Sequence, residues 1–319
     1  MAKRRPYPSD LSDVRWELIE PVLAGGASSD VAGLRASAGH RNTTCATSWT
    51  RSCMSTGPES SGAAPPHDFP HWNTTYGYFA KWADEGVFAQ LNGLLRQLLR
   101  EKEGRDAVPT ACAIDAQSVK TSTSVPAAGE GVDAGKKIVG RKRSIATDTL
   151  ELLLAVLVTA ASVQDSVAGT TLLDQIAGDH PRVREEWVDG GYHQHLVKHA
   201  ATLGIDMEIT ARKPGTRGFS PVPKRWAVER IYCWLTLHRR LARDHETLPT
   251  RSEAVIHIAM TDLMTRHLTS ENTISWRDPN KTTEHTRLWD ETSDETTSKA
   301  GPARSSSTPV LLVPAALVA

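Results

Sequence analysis

The 319-residue sequence predicts an α/β fold built on a central mixed sheet. Three observations carry that expectation. Apolar residues recur at helical spacing before residue 100 but switch after Pro109 to short continuous runs. Those runs and the helical patterns follow in the order strand, strand, strand, helix, strand, helix, strand, helix. One run, Leu152–Ala160, is almost wholly apolar, as suits a central strand covered on both faces.

The first element is a helix over Asp10–Leu23. Asp10 or Ser12 can cap it, and Leu11, Val14, Trp16, Leu18, Ile19, Val22 and Leu23 supply an apolar stripe. From Gly25 to Pro66 there is no Ile, Phe or Tyr, and Ser, Thr, Gly and Ala dominate. Such a stretch buries too little surface to offset its ordering entropy, so residues 25–66 are expected to be poorly ordered. Thr74–Arg100 returns to helical spacing, with Gly86 expected to split it into two helices and Arg100–Arg105 to form a solvated end. Strands are then expected at Thr110–Ile114, Arg143–Thr147, Leu152–Ala160, Glu186–Asp189 and Asp206–Thr210. Helices are expected at Asp165–Gly178, Tyr192–Leu203, Ala227–Ala242 and Glu253–Leu268. The domains follow: residues 1–24 and 67–108 as a small helical N-terminal region, 109–268 as the α/β domain, and 269–319 as a Ser/Thr-rich disordered tail.

Charge and composition narrow the function classes. Lys and Arg number 37 and so do Asp and Glu, so the chain lacks the overall basic excess usual for nucleic-acid binders. The balance is local rather than uniform. Residues 136–143 hold five cations and no acid, whereas residues 144–210 hold ten acids and three bases. The four cysteines form no CxxC pair, and the His residues form no HExxH, so neither a disulfide scaffold nor a zinc site is expected. No apolar h-region follows the basic N-terminus, and the longest apolar run, Pro309–Ala319, is too short to span a bilayer. A reduced, cytoplasmic protein without membrane partners is the expectation.

Three carboxylates stand out by position. Asp115 is read as following the first strand, Asp189 ends another before Gly190-Gly191, and Glu229 sits in the first turn of a helix. Taken singly, each reads equally as a turn or helix-start residue. Taken together, carboxylates at strand ends and on one helix can converge at a sheet edge. Hard oxygen donors of that kind suit Mg²⁺ or Mn²⁺, and two such ions would clamp an in-line phosphoryl displacement.

The flanking residues sharpen this. Tyr7-Pro8-Ser9-Asp10-Leu11-Ser12-Asp13, Pro66-His67-Asp68-Phe69-Pro70, Asp115-Ala116-Gln117-Ser118-Val119-Lys120-Thr121, Gly135 to Arg143, Asp189-Gly190-Gly191-Tyr192 and Arg225-Trp226-Ala227-Val228-Glu229-Arg230 occur in that order. The set resembles bacterial insertion-sequence transposases of the insertion-sequence four/five group, which have an RNase H-like core and a DDE triad. The resemblance covers about residues 1–24 and 66–280. It implies that Asp115, Asp189 and Glu229 are the catalytic triad and hold two Mg²⁺ or Mn²⁺ ions. It implies cleavage of double-stranded DNA at the element's terminal repeats and joining to target DNA, by a homodimer. Beside such a site, Lys136, Lys137, Arg141, Lys142 and Arg143 read as sequence-independent phosphate grips. Arg225, Arg230, Arg239 and Arg240 read as a second cationic face along the Glu229 helix. The chain departs from the group's wider signature at Val222 and Thr236, where a Tyr and a Lys would stand.

The segment 25–66 is the main departure. Back-translated with GC-rich codons and read one base out of register, Thr43–Ala64 yields an amphipathic helical pattern. That suggests a frameshift opening near residues 25–40 and closing near residue 65, which the gene's nucleotide sequence tests. Two alternatives to an active transposase follow: a catalytically inactive, DNA-binding remnant, and a related metal-dependent nuclease that cuts without joining.

Overall fold

A computed structural model describes residues 11–25, 72–210 and 226–271. Most of the stretch read as frameshifted, the Pro66–Pro70 motif, Arg225 and all but the first three residues of the expected tail lie outside these described residues.

The N-terminal part contributes three helices, α1 (Asp13–Gly25), α2 (Trp72–Asp84) and α3 (Val87–Lys102). Gly86 separates α2 from α3 at φ 69°, a left-handed backbone that glycine adopts without a Cβ penalty. Phe88, Leu91, Leu95 and Leu99 recur at three- and four-residue spacing along α3, and all are buried. The expected solvated end begins later than Arg100. That guanidinium is buried and hydrogen-bonds Asp148 and the Asp106 carbonyl.

The sheet follows. Strands β1 (Ala111–Lys120), β3 (Ile138–Asp148) and β4 (Leu153–Ala160) run antiparallel, with a short β2 (Gly131–Asp133) beside the start of β3. After helix α4 (Asp165–Asp179), β5 (Glu185–Val188) pairs parallel to β1. After helix α5 (Gln194–Thr202), β6 (Asp206–Ile209) pairs parallel to β5. The order β4-β3-β1-β5-β6, three antiparallel strands continued by two parallel ones, is the RNase H-like sheet. Helices α6 (Trp226–Leu237) and α7 (Pro249–Thr269) complete the described residues.

Alternation along the strands divides the sheet's two faces between two cores. Ala113, Ile145 and Leu153 pack with the N-terminal helices, α6 and α7. Cys112, Ile114, Ala146 and Leu154 point the other way, to Leu172 and Ile176 of α4 and Leu196 of α5. Each large apolar side chain so buried contributes roughly 1.5–3 kcal/mol. Buried polar contacts tie the first core together. Arg15 of α1 pairs with Asp262 of α7, and Asn92 Nδ2 of α3 donates to Thr261 Oγ1 of α7 at 2.7 Å.

Three boundaries differ from expectation by five residues or more, each for a visible reason. β1 extends to Lys120, so Asp115 lies inside the strand rather than after it. β3 starts five residues early, because Arg141, Lys142 and Arg143 are buried strand residues whose charges hid the strand pattern. α6 stops at Leu237, and Arg239–Leu241 forms a separate 3₁₀ turn. The chain is drawn back to the sheet there. Asp244 donates its N–H to Lys120 O at 2.9 Å, and its own carbonyl accepts the Ser122 N–H at 2.7 Å.

Candidate active site

β1 and β5 are neighbours in parallel, with Ala113 beside Trp187. Two residues further on, Asp115 lies within β1 and Asp189 just beyond the end of β5. Asp115 sits opposite Ile145 of β3 and is half-buried; its Oδ1 accepts the Ala116 N–H at 2.7 Å. Asp189 leaves the end of β5, and its Oδ1 accepts the Gly191 N–H at 2.8 Å, which turns the chain toward α5.

Glu229 is the fourth residue of α6 and half-buried. Its helix is anchored over the same part of the sheet by Tyr232. The Tyr232 hydroxyl donates to the Asp115 carbonyl at 2.6 Å and lies 3.0 Å from the Arg143 carbonyl. Burial pushes this phenol well above its ordinary pKa, and the Asp115 carboxylate adds to the shift. Burial and then Glu229 likewise raise the thiol of Cys233, one turn further along α6.

A fourth acid and a second tyrosine belong to this region, and the sequence reading missed both. The Tyr192 phenol is pushed well up, first by burial and then by Asp115, Asp165, Asp189 and Glu186. Asp165 opens α4 and is paired to Lys142 Nζ at 2.8 Å. The only signal for it in the sequence is an acid at the start of a helix, which is too common to single out.

Among the described residues, no three His, Cys, Asp or Glu side chains gather tightly enough to hold a metal ion. In donor chemistry Asp115 and Asp189 fit a hard divalent cation. Of the three predicted acids, Asp115 thus lies on β1, Asp189 just past the end of the neighbouring β5, and Glu229 on the helix that Tyr232 ties to β1.

The predicted phosphate grips divide. Lys136 and Lys137 are exposed on the turn before β3, and the Lys136 ammonium donates to the Ala116 carbonyl, beside Asp115, at 3.2 Å. Arg141 is wholly buried, donating to the carbonyls of Gly129, Glu246 and Thr247 and pairing with Asp244 at 3.3 Å. Arg143 is also wholly buried and donates to the Leu241 carbonyl at 2.7 Å. Burial lowers its pKa to about 10 against the opposing pull of Asp244. Lys142 is buried as well, donating to the Val163 carbonyl at 2.8 Å. These three cations hold the molecule together instead of facing solvent. Among the later arginines, Arg239 and Arg240 are exposed on the 3₁₀ turn, with Arg240 bridged to Glu246 at 2.6 Å. Arg230 is bridged to Glu151 at 2.9 Å, and Arg225 lies outside the described residues.

No helix among the described residues is long and apolar enough to cross a membrane. No curated protein matches the sequence. Two domain families do. The one described as transposase DDE domain matches residues 106–264, and the one described as transposase of IS4/5 family matches residues 11–92. The first match covers the sheet, both aspartates and the Glu229 helix, and the second covers α1, α2 and the start of α3. The chain therefore belongs to the DDE transposases of the IS4/5 kind.

Proposed function

We propose that this transposase cuts DNA at the ends of its element and joins them to target DNA, with Asp115, Asp189 and Glu229 as the catalytic carboxylates. The observation that carries the reading is the parallel pairing of β1 with β5, with Asp115 on the first strand and Asp189 just past the end of the second. Supporting it, Tyr232 ties the Glu229 helix to the backbone of Asp115. Two Mg²⁺ or Mn²⁺ ions held by these acids would supply activation of the attacking oxygen and stabilisation of the leaving 3′-oxygen. The chain's own part is to offer carboxylate oxygens on a rigid sheet and to hold DNA beside them. The exposed Lys136, Lys137, Arg239 and Arg240 are the cations available for phosphates.

Residues 109–268 form the catalytic domain in this reading, with residues 1–24 and 67–108 on the DNA-recognition side. A homodimer on paired element ends, working on the bacterial chromosome in the cytoplasm, completes the proposal. Purified protein with Mg²⁺ and a labelled element end tests it. Nicking followed by a joined product is the expected outcome. Nicking without joining would point to a nuclease, and binding alone to an inactive remnant. Asp115→Asn should abolish cutting and spare binding; retained cutting would remove Asp115 from the triad.

A further inference from the structure

We propose that the β2–β3 hairpin, residues 131–140, is a DNA-binding ribbon that lies in a groove of the duplex beside the cleavage site. This rests on the reading that the chain acts on DNA at Asp115.

The hairpin is built onto the strand that carries Asp115. Gly131 and Gly140 pair at its base, where a Cβ on the first would overlap Ser162 and a Cβ on the second the Val119 carbonyl. The Gly140 carbonyl also accepts the Ala161 N–H at 3.0 Å. The base is thus gripped between β1 and the residues that follow β4. Asp133 fixes the turn from within. Its Oδ1 accepts the Gly135 and Lys136 N–H groups, each at 3.0 Å, and its Oδ2 accepts the Ser118 hydroxyl of β1. The Lys136 ammonium reaches the carbonyl of Ala116, the residue after Asp115. The hairpin therefore folds back along β1, and its tip stands beside Asp115.

The two faces of the ribbon differ. Asp133 and Ile138 form one cross-strand pair and are half-buried. Val132 and Val139 form the next pair and share the opposite face, at 55% and 52% exposure. Two β-branched side chains stand side by side in solvent there. The tip, Ala134 to Lys137, is exposed throughout and carries two cations, while the one acid of the hairpin, Asp133, is engaged inward. Lys137 holds φ 54°, a left-handed backbone that any residue with a Cβ adopts at a cost. Glycine would sit there without strain, yet the position carries a cation. Strain of this kind gathers where a side chain must stand in a set place.

Duplex DNA matches these features together. Its major groove admits a two-stranded ribbon, its phosphates suit the lysines at the tip, and its sugars and thymine methyl groups suit the valines. A second copy of the chain meeting this face across a two-fold axis would instead set the same lysines against each other.

The test is photocrosslinking by the full-length chain, with benzoylphenylalanine in place of Val132 or Val139, to a labelled DNA duplex of the element end. Crosslinks to DNA are expected from both positions. Val132→Ser combined with Val139→Ser should weaken binding of that duplex about tenfold at an unchanged salt slope, because apolar contact is lost without a charge. Lys137→Gly, which relieves the backbone and so keeps the fold, should lower the slope of log affinity against log salt by about 0.9. Crosslinks only to a second copy of the chain, or wild-type affinity in the double serine variant, overturn the ribbon and leave the DNA reading standing. A wild-type chain that binds no DNA overturns that reading and this proposal with it.

Discussion

Glu186 offers the sharpest test of how burial and charge are balanced under the site. It lies on β5, is completely buried, and neither carboxylate oxygen has a hydrogen-bond partner. Burial alone raises its pKa from the ordinary 4.5 to about 8. The unfolded chain releases this proton near pH 4.5, whereas the native chain keeps it to about pH 8. Native stability is therefore fully present below pH 4.5 and is lost as pH rises toward 8. Each pH unit in that interval costs about 1.4 kcal/mol, so about 3 kcal/mol is gone by pH 7. His257 works in the opposite direction. Burial lowers its pKa from 6.5 to about 4, so it removes stability as pH falls through that range. Between pH 4.5 and 6.5 the two slopes cancel, and above 6.5 only the Glu186 loss remains. Glu186→Gln removes one slope and exposes the other. Urea unfolding across pH 5 to 8 should show the variant gaining on the wild type by about 1.4 kcal/mol per pH unit. A difference that stays constant with pH would mean Glu186 is not protonated in the native state.

Three further changes address the framework and the DNA contacts. Arg15→Met breaks a buried ion pair but leaves Asp262 with Arg266 at 3.1 Å; a loss of about 3 kcal/mol, at the low end for such pairs, is expected in urea unfolding. An unchanged midpoint would show that α1 does not depend on α7. Tyr232→Phe removes the hydroxyl that joins α6 to Asp115 and should cost about 1–2 kcal/mol of stability. It should also slow cleavage about tenfold with DNA binding intact, and wild-type cleavage would speak against the anchor. Lys136→Ala should lower the slope of log affinity against log salt by about 0.9, the value for one phosphate contact. Lys142→Met should leave that slope alone, and an equal drop in both would put Lys142 on the DNA.

The fold was legible because hydrophobic patterning survives without tertiary context. The split of α2 from α3 at Gly86, the apolar β4 and the alternation of β5, α5 and β6 all follow from local rules. What was hidden has one physical cause. In β1 and β3, positions covered by other elements carry Ser118, Arg141, Lys142 and Arg143, and a polar residue is read as exposed unless its partner is known. The partners lie far along the chain. Arg141 meets Asp244, and Arg143 meets the Leu241 carbonyl, about a hundred residues later.

The same long-range pairing explains how the candidate site was partly seen. Asp115 and Asp189 could be singled out because each belongs to a recognisable stretch, but nothing local says that their strands are neighbours; the parallel pairing of β1 and β5 does. The cation-rich run 136–143 shows the reverse. Five like charges in eight residues look like one solvated patch, yet a strand turns alternate residues to opposite faces. Here the turn residues Lys136 and Lys137 stay in solvent, while Arg141, Lys142 and Arg143 enter the sheet and are each met by an acid or a carbonyl. A buried charge is tolerated only when so met. The zero net charge of the chain therefore conceals two populations of cations, one that anchors the α6–α7 connection and α4 to the sheet and one exposed to solvent. The salt dependence of Lys136→Ala against Lys142→Met tests the proposed division, because only cations that meet phosphates would release counterions on binding DNA.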